Sequence, residues 1–253
     1  MNPSGQKHRR LIVATLGLFV LPILLHGCAQ LGRGWPESWS SADWSSTGQL
    51  PPATAEAPAM VRIYAARTGR WRGIVAVHSW LVLKDEGGAY ERYDKVGWGS
   101  PIRRDHRAPD ARWFGHEPAL VFAADGAEAA ALIARLRPAI ASYPYSSPGD
   151  YRAWPGPNSN TFVAHAMAEA QVPAALPPTA IGKDYPVAGR WLGPTPSGTG
   201  LRASLGGVLA VSIGWIEGLE VSLLGAVLGL DLRRPAVKLP GFGRLGMPAA
   251  SDG

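Results

Sequence analysis

The chain has 253 residues, of which 46% are hydrophobic, which is enough for one large domain or for one domain with appendages. The 31 glycines and 23 prolines indicate many turns and short elements rather than long helices. The formal net charge is +6, but the arginines are scattered and form no basic stripe, so we exclude nucleic-acid binding. The positive charge instead favours a protein that functions beside an anionic membrane or envelope polymer.

The N-terminus has the pattern of a secretory signal. Basic residues up to Arg10 precede an apolar run of 15 residues from Leu11 to Leu25. This run is short for a bilayer span and is interrupted by Pro22, which favours a signal sequence over a permanent membrane helix. We therefore predict a signal peptide of the lipoprotein type over residues 1–27.

The end of this segment is similar to a bacterial lipobox. Leu25, Gly27 and Cys28 resemble its pattern, and Cys28 would then be lipidated after cleavage. Ala29 implies, by resemblance to Gram-negative lipoproteins, an outer-membrane anchor with the chain facing the periplasm. The alternative is an uncleaved signal anchor with an incidental cysteine. Cys28 is the only cysteine, which excludes an intrachain disulfide and a thiol nucleophile in the folded part.

The remaining chain divides by composition. Residues 28–59 are rich in Ser, Pro, Ala and Gly and predict a polar tether, although Trp35, Trp39 and Trp44 indicate that part of it lies on the domain surface. We expect a folded domain over 60–186, a linker over 187–200, a glycine-rich apolar β extension over 201–244 and a flexible tail over 245–253.

The main domain reads as α+β, with an antiparallel sheet packed on a few helices. Strand-like runs are VRIYAA at 61–66, GIVAVHSWLVLK at 73–84 and PALVFAAD at 118–125. The segment AYERYDKVGW at 89–98 returns after the Gly87–Gly88 turn and predicts a hairpin. Helices are predicted for Gly126–Arg137 and from Ser159 to Gln171.

Residues 201–232 are strongly apolar, yet Glu217 and Glu220 near their middle disfavour a bilayer span. Glycines recur at turn-like spacing, and the pattern around Gly214 repeats at Gly225. This predicts two or three hairpin strands that pack on the main domain. An interfacial amphipathic segment that remodels membranes remains the alternative.

The segment WPGPNSNTFV at 154–163 raises the question of catalysis. Asn158 or Ser159 fits a helix N-cap, which explains the cluster without any activity. The same helix start would also offer free N–H groups to an oxyanion, but a serine nucleophile needs a general base. His78, in the middle of an apolar strand, is the candidate base, and a buried, hydrogen-bonded structural histidine is the alternative.

The motifs HSWLVL and NSNTFV resemble the circularly permuted papain-like fold of the NlpC/P60 and lecithin-retinol-acyltransferase group. This resemblance implies that His78 is the base, that Ser159 occupies the nucleophile position next to Asn158, and that Tyr93 or Asp94 orients the imidazole. More narrowly, the chain resembles the bacterial family named domain of unknown function 3750. The segments that carry this resemblance are RIYAARTGRW, HSW, VGWG, YRAWPGPNSNTFVA and LPPTAIGKDYP.

Two functions follow from the resemblance. The first is a lipid-anchored cell-envelope hydrolase or acyltransferase of the serine type, acting on an amide or ester bond of peptidoglycan peptide or lipid. The second is an inactive binding or scaffold module of the same fold. We expect a membrane as partner, no nucleic acid and no cofactor. His106 and His116 lie in a loop with acidic residues but lack a recognised ligand spacing, so no metal site is predicted.

Overall fold

In the computed structural model, the described residues are 3–32, 34 and 38–248. Trp35 and residues 249–253 of the expected tail therefore lie outside the described residues. The first element is helix α1 (Pro3–Leu31), which contains Pro22. Its segment Gln6–Leu31 is long and apolar enough to cross a membrane, a criterion that a signal sequence also meets.

The main domain contains a five-stranded antiparallel sheet. Its strands are β1 (Met60–Arg67), β2 (Val77–Lys84), β3 (Tyr90–Lys95), β4 (Ile102–Arg104) and β5 (Ala119–Asp125), and their order is β4-β3-β2-β1-β5. A short 3₁₀ turn, Arg70–Ile74, joins β1 to β2. The Gly87–Gly88 turn joins β2 to β3, and the two strands pair in antiparallel register, with Leu81 opposite Tyr93 and Lys84 opposite Tyr90.

Helices α2 (Gly126–Ala141) and α3 (Ser159–Ala170) cover one face of this sheet. Alternate residues of the strands point to this face, so Ile63, Leu81 and Leu83 pack with Leu132 and Phe162 in the main core. The chain is therefore α+β with antiparallel sheets and few helices, as predicted.

The other face of the sheet carries an aromatic cluster. Tyr64 and Trp80 point to this side and pack with Trp113 and Phe114. Part of the segment expected as a tether also packs here, because Trp44 contacts this cluster. The carboxylate of Asp110 accepts hydrogen bonds from the hydroxyl of Ser46 and the amide of Gln49. Residues 42–50 thus lie on the domain instead of forming a free tether.

A second, seven-stranded antiparallel sheet follows the helices, and each strand pairs with its sequence neighbour. The strands are β6 (Leu192–Pro194), β7 (Gly200–Leu205), β8 (Leu209–Gly214), β9 (Gly218–Leu223), β10 (Ala226–Asp231), β11 (Ala236–Leu239) and β12 (Gly243–Gly246). A short 3₁₀ turn, Val187–Gly189, precedes them. The meander exceeds the predicted two or three hairpin strands: β6 falls in the expected linker and β12 reaches into the expected tail, since short strands with glycine turns carry weak sequence signals.

Buried ion pairs join the second sheet to the main domain. Glu220 of β9 lies between two cations, with Lys183 Nζ at 2.6 Å from Oε2 and Lys238 Nζ at 2.5 Å from Oε1. Ser204 of β7 also donates a hydrogen bond of 2.6 Å to the carbonyl of Asp184. The loop after α3 is therefore attached to the inner face of the second sheet.

Candidate functional site

Asn158 is the N-cap of α3. Its Oδ1 accepts hydrogen bonds from the amides of Asn160 (2.9 Å) and Thr161 (3.1 Å), and the Asn158 amide donates to Thr161 Oγ1. Its Nδ2 donates to the carbonyls of Ala153 and Ile181. All polar atoms of this side chain are thus used to begin and position the helix, which is the capping role that the sequence predicts.

Asn160 fixes the start of α3 to strand β2. Its Oδ1 accepts a hydrogen bond of 2.7 Å from Ser79 Oγ, and its Nδ2 donates to the carbonyl oxygens of Val77 and Ile181. These groups are buried, so each hydrogen bond replaces a contact with water that folding removes. The helix start is thereby placed on the face of β2 to which Ser79 points.

Ser159 is the first residue of α3 and is buried, with 3% of its surface exposed. Among the described residues, no group forms a hydrogen bond with its hydroxyl, and its backbone N–H donates to none of them. An unpaired amide at a helix start beside a free hydroxyl is an arrangement that can bind an oxyanion or a carbonyl oxygen.

His78 lies on the opposite face of the sheet, in the aromatic cluster. Its Nε2 is 2.7 Å from Asp94 Oδ1, and its ring stacks on Trp113 with the centroids 3.6 Å apart. Arg92 also binds Asp94, with its Nε 2.6 Å from Oδ2, and its guanidinium lies over the Trp80 ring. The histidine and the carboxylate are therefore held in a buried network of charged and aromatic groups.

The charges of this network define the tautomer of His78. Burial raises the pKa of Asp94, but the charge of Arg92 and the hydrogen bonds from His78 and Arg92 outweigh it and hold this pKa well below its usual range. Asp94 is therefore a carboxylate, and Nε2 of His78 is the donor. Burial lowers the pKa of His78, so the ring is neutral at pH 7 and its lone pair is on Nδ1.

The structure does not bring His78 and Ser159 together. Consecutive strand residues point to opposite faces, so Ser79 points to α3 whereas His78 points to Trp113. No hydrogen bond joins the Ser159 hydroxyl to the His78 ring. His78 is instead hydrogen-bonded to Asp94, and a direct proton transfer to it from Ser159 would require the two side chains to come within hydrogen-bond reach.

A comparison with protein families finds one family that matches the part of the chain in which these residues lie. The family described as Protein of unknown function (DUF3750) matches residues 58–185, about half of the chain. The chain belongs to this family. The match includes β1–β5, α2, α3 and Lys183, and it ends before the second sheet. No curated protein and no solved structure matched the chain.

The remaining predicted site residues, Tyr93, Asp94 and Cys28, do not form one cluster. Tyr93 points away from His78, and its hydroxyl donates a hydrogen bond of 2.6 Å to Glu91; burial and the neighbouring carboxylate raise the pKa of Tyr93 to about 12. Of the two proposed orienting groups, Asp94 is the one that contacts His78. Cys28 is exposed near the end of α1, where His26 Nδ1 is hydrogen-bonded to the Ile74 carbonyl at 2.6 Å.

Two residues that the sequence does not single out shape this region. Asn160 makes the contacts that attach α3 to β2. Trp113 forms the stacking surface of His78. The alternation of β2 was the available signal, because it puts His78 with Trp80 and Ser79 with Leu81.

Proposed function

We propose that the chain is a membrane-anchored module of the bacterial cell envelope that binds an anionic envelope polymer such as peptidoglycan, without catalysis by Ser159 and His78. The observation that carries this proposal is a cluster of aromatic and cationic side chains around Trp113, the ring that stacks on His78. In this cluster Trp39 and Trp98 are exposed, and Trp44, Arg103 and Arg107 are partly buried. The separation of His78 from Ser159 supports the absence of a catalytic pair.

The ring contacts of this cluster define a continuous surface. The centroid of Trp39 is 4.1 Å from that of Trp44 and 4.9 Å from that of Trp98, and about two fifths of Trp39 and of Trp98 is exposed. Arg107 lies over Trp44 and Arg103 lies near Trp98. Exposed indole rings stack on sugar rings and apolar groups, and guanidinium groups bind carboxylates, so the surface suits a glycan that carries acidic peptides.

The resemblance to the permuted papain-like fold explains the order of the elements within this proposal. A strand that contains His78 precedes a helix that begins at Ser159, as in that fold. In this chain the corresponding positions hold structure together: Asn158 caps α3, Asn160 binds β2, and His78 pairs with Asp94. We propose that the chain retains the order of strand and helix of that fold but does not use His78 and Ser159 as a reactive pair.

Anchoring is the second part of the proposal. Most of the apolar segment Gln6–Leu31 is exposed, so many of its apolar side chains can enter a bilayer, and Cys28 is exposed for lipidation. We propose attachment through this segment or through a lipid on Cys28, with the domain in the periplasm and the outer membrane as the final site. Metabolic labelling with a fatty acid, lost in Cys28→Ser, distinguishes the lipid from an uncleaved helix.

Binding to purified peptidoglycan tests the proposed function. We expect the protein to co-sediment with peptidoglycan and the double variant Trp98→Ala/Arg103→Ala to lose most of this binding. Trp71→Ala is the matched control, because Trp71 is also exposed and also near an arginine but lies outside the cluster. Equal binding by both variants, or no binding by the wild-type protein, would refute the proposal.

A serine hydrolase or acyltransferase remains the second candidate, favoured by the unpaired hydroxyl and amide of Ser159 at the helix start. It requires an activated hydroxyl, which a fluorophosphonate probe labels. Labelling that disappears in Ser159→Ala and in His78→Ala would establish the hydrolase and overturn the non-catalytic role.

A further inference from the structure

The second sheet has an inverted distribution of polar and apolar residues. One face, which we call the outer face, presents only apolar side chains and glycine along all seven strands, all of which the structure describes. Strands β8 and β9 contribute Leu209, Val211, Ile213, Leu219 and Val221, each exposed by 38% to 62%. The register places these residues side by side, since Val211 pairs with Val221 and Ile213 with Leu219.

The polar residues of the same strands point to the inner face. Ser212, Glu220 and Ser222 are buried there, each with no more than 4% exposure. The three carboxylates of residues 192–246, those of Glu217, Glu220 and Asp231, are all buried. The arrangement is the reverse of the usual one, in which a sheet with one solvated face turns its apolar residues inward.

The outer face is as large as the largest apolar patches of soluble monomers, which are often functional. Seven strands about 4.8 Å apart span roughly 29 Å, and six residues at about 3.4 Å each give a length of roughly 20 Å. The apolar area is thus on the order of 500 Å², at the upper end of what a soluble monomer exposes. A surface of this kind needs an apolar partner.

The surroundings of the outer face indicate which partner. Helix α1, the candidate membrane segment, contacts β10, and its Phe19 and Ile23 line a cavity with Leu223 and Val227. Trp191 and Trp215 are exposed by 61% and 65% near the ends of β6 and β8, and tryptophan is enriched where proteins meet the membrane interface.

The charge of the segment is suited to an anionic membrane. Residues 192–246 contain five basic residues (Arg202, Arg233, Arg234, Lys238 and Arg244) and three acidic ones, which gives a net charge of +2. Lys238 is buried together with the three carboxylates, so the charged side chains that remain partly exposed in the segment are all arginines: Arg202, Arg233, Arg234 and Arg244. A positive flank beside an apolar face is the pattern of proteins that lie on anionic lipid.

From these observations we propose that the outer face of the second sheet is a membrane-docking surface, and that it lies on the anionic lipid bilayer to which the N-terminal segment anchors the chain. The docking uses residues that the family match does not include. It rests on the anchoring part of the proposed function but not on the aromatic and cationic cluster or on the chemistry of Ser159, so its test is separate from the test of peptidoglycan binding.

The position of the outer face is measured with a polarity-sensitive fluorophore on a single cysteine. The full chain carrying Cys28→Ser receives either Ile213→Cys, on the outer face, or Leu120→Cys, an exposed apolar position on the edge strand β5. Both proteins keep α1 and are reconstituted into vesicles of phosphatidylethanolamine and phosphatidylglycerol. Nitroxides on the lipid chains then report contact with the hydrocarbon region.

We expect a blue shift and nitroxide quenching for the label at position 213 and neither for the label at position 120. Adding Val211→Lys and Val221→Lys to the labelled protein is expected to abolish both signals, while membrane anchoring by α1 remains. An aqueous environment for the label at position 213 would overturn the proposal. A blue shift that needs no lipid and rises with protein concentration would overturn it in favour of a second copy of the chain.

Discussion

Ser79 Oγ donates a hydrogen bond of 2.7 Å to Asn160 Oδ1, and this contact holds the start of α3 on one face of β2. The preceding residue, His78, consequently points to the opposite face, where it binds Asp94. A single hydrogen bond therefore defines which strand residues the helix start can meet. It also indicates that Asn160 contributes more to the fold than the adjacent Ser159.

We expect Asn160→Ala to lower the free energy of unfolding by about 2–4 kcal/mol, because it removes three hydrogen bonds and leaves buried partners unsatisfied. Ser159→Ala is the control and is expected to change it by less than about 1 kcal/mol, since the Ser159 hydroxyl has no partner among the described residues. Urea denaturation measures both. Equal effects would mean that Asn160 does not attach α3 to β2.

Asp94 is the central group of the network on the other face. Replacing it in Asp94→Asn leaves the buried Arg92 without its counter-charge, so we expect a loss of about 3–5 kcal/mol. The control, Asp125→Asn, breaks a half-exposed pair with Arg62 and is expected to cost less than about 1 kcal/mol. In nuclear magnetic resonance titrations the pKa of His78 should fall further in Asp94→Asn, since the carboxylate favours the imidazolium.

His106 makes the stability of the fold depend on pH. Burial, with repulsion from nearby arginines, lowers its pKa to about 4 despite the attraction of Asp94. The folded state therefore resists protonation that the unfolded chain accepts at its ordinary value of 6.5. Stability from this group is present above pH 6.5 and is lost as the pH falls towards 4, by at most about 3 kcal/mol.

Urea denaturation between pH 7 and pH 4 measures this loss, and His106→Gln should decrease it because glutamine does not titrate. His8→Gln is the control, since His8 is exposed on the N-terminal helix α1. An unchanged pH dependence in His106→Gln would assign the acid sensitivity to other groups.

Part of this molecule was predictable from its sequence. The periodicity of β1–β3, the alanine-rich helix and the turn at Gly87–Gly88 are local signals, and they predict the α+β class. The cap at Asn158 is also local. The contact of Asn160 with Ser79 joins residues far apart in the chain, and only the packing of α3 on one face of β2 produces it.

The candidate pair His78 and Ser159 stays a prediction for a related reason. The order of His78 before Ser159 is a property of the sequence, whereas the contacts of each side chain depend on which face of β2 it meets. The sequence predicts too few strands for the second sheet. Its apolar residues face outward, whereas the prediction assumes that they pack against the main domain. Its glycine-rich turns also interrupt the period-two pattern.

Gly182 supports the cap of α3 from the following loop. Its φ is +93°, and a methyl group there would overlap the Asn158 side-chain amide. We expect Gly182→Ala to cost about 2–4 kcal/mol, from backbone strain plus displacement of the cap. Gly189→Ala is the matched control, because its φ is +73° but the space beside it is open, so only the strain of about 1 kcal/mol applies. Thermal unfolding that ranks the two alike would contradict the role of Gly182.

Glu220 holds the second sheet to the main domain. Burial raises its pKa, but the charges of Lys183 and Lys238 outweigh burial and lower it. Glu220→Gln is expected to cost about 3–5 kcal/mol, because it leaves the buried Lys238 without a counter-charge and Lys183 with Asp184 alone. Glu169→Gln, which affects an exposed pair with Arg190, is expected to cost less than about 1 kcal/mol. Limited proteolysis should cut residues 192–246 faster in Glu220→Gln than in Glu169→Gln.

The ion pair between Lys183 and Glu220 has a consequence for the limits of the family. The similarity ends at residue 185, but the physical unit does not, because Lys183 and Asp184 bury their polar groups against strands that follow that limit. A fragment cut at the end of the similarity would expose these groups and remove Glu220 from Lys183. The end of the family match and the end of the packed unit are thus different places in this chain.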